Sequence, residues 1–148
     1  PEFTTLHISG GSEMIKECIN VKETNQSKTN LIGVTVLTSF DEDGMREVGI
    51  YNSIDDQVLN LVKLANENNL DGIVCSPQEI KQIKQETKND LKLIVPGIRN
   101  INDDTNDQKR TMNASEAINA GADILVIGRP ITMANDPAEA AFKIFKSL

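Results

Sequence analysis

The chain has 148 residues, 39% hydrophobic and 25% charged, which fits one domain spanning residues 1–148 around a single core. Aromatics are only 3% and Trp is absent, so that core has to be aliphatic. A net charge of −7 argues against nucleic acid or an anionic membrane as the main partner, and leaves room for an anionic small molecule only where basic groups are focused locally.

Cys18 and Cys75 stand far apart without Cys-x-x-Cys spacing or a secretory signal, and read as reduced thiols of a cytoplasmic protein. No apolar run approaches the roughly eighteen residues of a membrane span. His7 is the only histidine, which excludes a histidine-rich metal site.

Five short apolar runs follow in chain order at residues 3–8, 31–37, 72–75, 91–95 and 123–127. Each is aliphatic or β-branched at nearly every position, the pattern of strands buried on both faces in a parallel sheet. Helical stretches lie between them. Residues 53–69 repeat Ile54, Val58, Leu61, Val62 and Ala65 at three- and four-residue steps, one buried helical face. Ser76-Pro77-Gln78-Glu79 and Asp136-Pro137-Ala138-Glu139 are helix starts with Pro at the first helical position. Asn113-Ala114-Ser115-Glu116 is a weaker start, and Gly121 marks that helix's end. The order is β-α five times over, an α/β fold with right-handed crossovers. A doubly wound open sheet and the C-terminal portion of an eight-stranded barrel both fit it.

In either architecture the site lies at the carboxyl ends of the strands. There the sequence places Ser9-Gly10-Gly11, Thr38-Ser39, Ser76-Pro77, Pro96-Gly97-Ile98-Arg99 and Gly128-Arg129-Pro130, with no carboxylate and no lysine. Gly128-Arg129 combines close backbone approach with a guanidinium fork, a phosphate grip after the last strand; alternatively it is a plain turn with a solvated Arg. Residues 100–110 are the longest polar stretch, with Ile101 their only apolar residue. They read as a solvated loop, or as a lid hinged at Gly97 that carries Gln108. Thr38-Ser39 could meet a ligand's amide-like edge or cap a helix starting near Asp41. His7 reads as a strand-end packing or hydrogen-bonding residue, Cys75 as a small core residue, and Lys81, Lys84 and Lys88 as one solvated helix face.

Taken together, Leu31-Ile32-Gly33-Val34-Thr35-Val36-Leu37-Thr38-Ser39, Leu70-Asp71-Gly72-Ile73-Val74-Cys75-Ser76-Pro77-Gln78-Glu79, Val95-Pro96-Gly97-Ile98-Arg99, Asp107-Gln108-Lys109-Arg110 and residues 121–131 resemble bacterial orotidine 5'-monophosphate decarboxylase. The resemblance runs from about Thr5 to the C-terminus, in the family's order. It implies a (β/α)8 TIM barrel of which these runs are strands four to eight, and a homodimer in the full enzyme. It also implies a carboxy-lyase converting orotidine 5'-monophosphate to uridine 5'-monophosphate (UMP) without metal or organic cofactor. Thr38 would contact the pyrimidine edge and Gln108 would bridge phosphate and base. Arg99, Gly128 and Arg129 would form the phosphate end.

One family feature is missing. The Asp-x-Lys-x-x-Asp motif of the third strand, whose lysine protonates the carbanion left by carbon dioxide, has no counterpart. Of the two Asp-x-Lys triplets, Asp90-Leu91-Lys92 meets Val95 where the second Asp should stand, and Asp107-Gln108-Lys109 meets Met112. No catalytic residue is therefore expected within these residues. Five strands cannot close a barrel, so the chain alone is expected to be marginally stable, prone to associate and inactive. Two rivals remain: a non-catalytic nucleotide-binding remnant or one chain of a split enzyme, and a related barrel decarboxylase acting on a sugar phosphate.

Overall fold

The computed structural model describes residues 1–87, 91–99 and 110–148. Its centre is a sheet of five parallel strands in the order β1-β2-β3-β4-β5: β1 Phe3–His7, β2 Asn30–Val34, β3 Gly72–Val74, β4 Lys92–Val95 and β5 Ile124–Leu125. Strand order follows chain order without reversal. The doubly wound alternative needs a switch point, and there is none among the described residues.

Helices return the chain between strands: α1 Gly11–Thr24, α2 Glu42–Glu47, α3 Ile54–Glu67, α4 Ile80–Glu86, α5 Ala114–Ala120, α6 Arg129–Thr132 and α7 Pro137–Lys146. The expected face of α3 is the one that packs, with Val58, Leu61, Val62 and Ala65 buried. Ser53 caps α3 and Asp136 caps α7, each side chain accepting a backbone N–H three residues on. Asn113 and Glu116 form a reciprocal capping box, stronger than the sequence suggests, and Gly121 ends α5 at a φ of 114° that a side chain would resist. Pro77–Glu79 forms a 3-10 turn before α4, so the helix begins one turn later than its start signal.

Register explains how the two sheet faces differ. Leu6, Gly33, Ile73 and Leu93 align across β1 to β4, and all but the side-chain-less glycine belong to the aliphatic core against the helices. One residue on, His7, Val34, Val74, Ile94 and Ile124 align across all five strands and point the other way. None of that second row belongs to the helix-side core. Sequential strand order with crossovers of one hand puts every helix on a single face, as in the wall of a barrel.

Two aspartates lock the amino ends of the strands. Asp71 Oδ2 accepts the Leu31 backbone N–H at 2.7 Å and the Lys22 ammonium at 2.7 Å. Asp123 Oδ2 accepts the Leu93 N–H at 2.8 Å, with Lys84 Nζ at 3.8 Å. Each carboxylate crosses to the neighbouring strand's first residues, so it resists the one-residue slip that would exchange the sheet faces. Lys84 is exposed, as expected of a solvated face, and from there also reaches Asp123 and lies close to Gly121. Lys81 is exposed as expected, and Lys88 lies outside the described residues.

Candidate functional site

Four of the five residues expected to bind a ligand come to one end of the sheet. Thr38 follows β2, Arg99 follows β4, and Gly128 and Arg129 follow β5. Gln108 lies outside the described residues.

Thr38 is 8% exposed although polar. The alternative role for it, capping α2, belongs to Asp41, whose carboxylate accepts the Gly44 N–H at 3.0 Å. The backbone before Thr38 is held from across the sheet. Arg110 donates from Nη2 to the Leu37 carbonyl at 2.9 Å and to the Val36 carbonyl at 3.4 Å, and from Nη1 to the Glu79 carboxylate. Glu79 also accepts the Ser76 backbone N–H at 2.8 Å. Arg110 and Glu79 are 8% and 3% exposed, so this is a buried pair at the ends of β2 and β3. Burial pushes the Arg110 guanidinium down from its ordinary pKa, with Asp55 opposing.

Neither residue stands out in the sequence. Glu79 is readable as a capping partner and Arg110 as the end of a polar run. The one available signal is that Glu79 follows Cys75-Ser76 at the mouth of a core strand, where an unpaired carboxylate would be costly.

Arg99 is 8% exposed, with Nη1 donating to its own neighbour's carbonyl, Ile98 O, at 2.6 Å. Its Nε has no hydrogen-bond partner among the described residues. The Arg99 N–H donates to Met112 O at 3.0 Å, and Ile98 bridges Met112 in parallel, so residues 98–99 and 112 are fastened together. Gly97 supplies the turn into this bridge at a φ of 79°. Arg129 opens the short helix α6 behind Gly128, so Gly128-Arg129-Pro130 is a helix start and not a plain turn. A Cβ placed on Gly128 would meet no atom within 4 Å, so space lies open beside its backbone.

The other candidates have no chemistry here. Cys75 is 1% exposed, and burial raises its thiol pKa to about 12. At pH 8 only about one thiol in ten thousand is ionised, too few for a nucleophile. With Ellman's reagent at pH 8, half-buried Cys18 should react in the folded protein and Cys75 only on unfolding. One fast equivalent assigned to Cys75 by peptide mapping would contradict this. The thiol is almost wholly protonated in both states below about pH 7.5. Between about pH 9 and 12 only the unfolded chain sheds the proton, and stability falls. The His7 side chain, at the end of edge strand β1, is exposed and has no hydrogen bond among the described residues. The expectation of packing or hydrogen bonding is not met. Among the described residues no three His, Cys, Asp or Glu side chains gather to hold a metal, and no helix is long and apolar enough to cross a membrane.

A parallel βα wall with a buried and a half-buried arginine at its carboxyl end has the architecture of part of a barrel. The family model for orotidine 5'-phosphate decarboxylase / HUMPS matches residues 2–144, and the chain belongs to that family. It is 48% identical over 147 residues to an orotidine 5'-phosphate decarboxylase of Wolbachia pipientis (strain wPip), covering 99% of this chain and 64% of the relative. A second, from Dictyoglomus thermophilum, is 46% identical over 145 residues, covering 94% and 59%. The crystal structure of orotidine 5'-phosphate decarboxylase from Lactobacillus acidophilus superposes with a TM-score of 0.78 at 35% identity, covering 98% of this chain and 62% of that one. The chain thus spans a little under two thirds of the length of these relatives, and the five βα units are part of a TIM barrel.

Proposed function

We propose that these residues form the nucleotide-gripping part of an orotidine 5'-phosphate decarboxylase. Arg99, Gly128 and Arg129 take the phosphate, and Thr38, with Gln108, reads the pyrimidine edge. The observation that carries this reading is the shared placement of Thr38, Arg99 and Arg129 at one end of the sheet, with the Arg99 Nε unpartnered among the described residues. At roughly 4.8 Å per strand spacing, β2 and β5 are about 14 Å apart, so base and phosphate readers stand at opposite ends of one elongated site.

The proton donor and the carboxylates that crowd the substrate's own carboxylate are assigned to residues outside these 148, because no Asp-x-Lys-x-x-Asp occurs among them. By this reading the full enzyme is a cytoplasmic homodimer. Both cysteines are free, and Met133, Phe142, Phe145 and Leu148 expose apolar surface that a second copy could cover.

A sugar-phosphate substrate is the rival within the family, and it offers no pyrimidine edge to Thr38. Calorimetric titration with UMP and with ribose 5-phosphate separates the two. UMP should bind at least tenfold more tightly, and ribose 5-phosphate equalling or exceeding UMP would favour the rival.

A further inference from the structure

Resting on the nucleotide-site reading above, we propose that Arg110, held by Glu79, is a positioning residue that sets the base-reading end of the site relative to the phosphate end. Its guanidinium is the link. One edge donates to the Leu37 carbonyl at 2.9 Å, immediately before Thr38, while the other holds the Glu79 carboxylate. Two residues along the chain, Met112 O accepts the Arg99 N–H at 3.0 Å and Met112 bridges Ile98. Residues 110–112 therefore form a strap whose first residue fixes the backbone at Thr38 and whose last fixes the backbone at Arg99.

Two features of the strap say that its geometry matters. The first is that the link is a fork. A planar guanidinium can serve the Leu37 carbonyl and the Glu79 carboxylate together, whereas a lysine offers one point charge on a flexible stem. The second is that both partners are buried at the strand ends, Glu79 at 3% and Arg110 at 8% exposure. A buried ion pair gives weak net stability, because desolvation offsets the attraction, but it holds one arrangement well. Glu79 is itself fixed, since its carboxylate accepts the Ser76 N–H at 2.8 Å at the mouth of β3. Arg110 thus takes its position from β3, imposes it on β2, and passes it through the strap to the end of β4. A nucleotide touching both ends at once depends on this span; inorganic phosphate touches only one end and does not.

The test uses the purified chain and two variants, with UMP and inorganic phosphate as probes in calorimetric titrations and the thermal midpoint Tm recorded for each protein. Arg110→Lys keeps the charge opposite Glu79 and loses the fork. The double variant Arg110→Met with Glu79→Gln removes both buried charges while keeping an acceptor for the Ser76 N–H, a change that buried ion pairs often tolerate. Both variants should bind phosphate within twofold of the unaltered chain and UMP about tenfold or more weakly, the size expected when a positioned contact is displaced without being deleted. UMP affinity within twofold of the unaltered chain would overturn the proposal. So would a parallel loss of UMP and phosphate with a lowered Tm, which marks a merely structural pair. If the unaltered chain itself binds UMP no better than uridine, it is the nucleotide-site reading that fails, whatever the variants do.

Discussion

Mixed with a separate polypeptide bearing Asp-x-Lys-x-x-Asp on the first three βα units of the barrel, this chain should decarboxylate orotidine 5'-monophosphate; alone, it should not. The reaction leaves a carbanion on the pyrimidine ring that needs a positioned acid, and general acid catalysis by itself contributes about 10²–10⁴-fold. The segments after the strands hold small, hydroxylated, glycine and arginine residues, with no lysine among residues 9–11, 38–39, 76–77, 96–99 and 128–130. The buried carboxylate at this end, Glu79, is already committed to Arg110 and the Ser76 N–H. The sheet also ends in two edges, β1 and β5, and of its Val34–Val74–Ile94–Ile124 row, which lies outside the helix-side core, only Ile94 is fully buried. Three more strands would pair both edges and bury that row, so assembly and activity should appear together. Turnover should rise from background with added partner and saturate at one equivalent. Substantial turnover by the chain alone would mean that its acid has been misplaced.

Arg129→Ala should weaken UMP binding roughly 10- to 150-fold, the equivalent of the about 1.5–3 kcal/mol of a hydrogen bond to a charged group. The loss should fall on the phosphate, leaving uridine affinity unchanged, because Arg129 follows β5, three strands from Thr38. Arg99→Ala should act in the same direction, with a lowered Tm as well, since Arg99 is 8% exposed and its truncation leaves a hole where Arg129→Ala mostly clears half-exposed space. Equal losses for UMP and uridine would move Arg129 out of the phosphate end.

The strands were legible because a two-sided buried sheet demands continuous aliphatic runs; the run at 91–95 contains β4, and that at 31–37 contains β2 apart from its first residue, Asn30. The run at 123–127 yields only two residues paired in the sheet, Ile124–Leu125 against β4. Helix starts at Asn113 and Asp136 were legible from local hydrogen-bonding chemistry that needs no tertiary partner. What the sequence hid is long-range. The Arg110 contacts to Leu37 and Glu79 span 73 and 31 residues, and nothing near Arg110 announces them. Barrel against open sheet was also beyond periodicity, since both use the same buried strands; loop motifs leaned toward the barrel, and strand order excluded the switch point.

The most direct test of the central claim, that these residues grip a nucleotide chiefly by its phosphate, is one pair of calorimetric titrations of the unaltered, folded chain with UMP and with uridine. UMP should bind at least tenfold more tightly even if both bind weakly, because under the proposed assignment Arg99 and Arg129, which follow β4 and β5, take the phosphate and leave the nucleoside to Thr38. Equal affinity for nucleotide and nucleoside would contradict the assignment of that end.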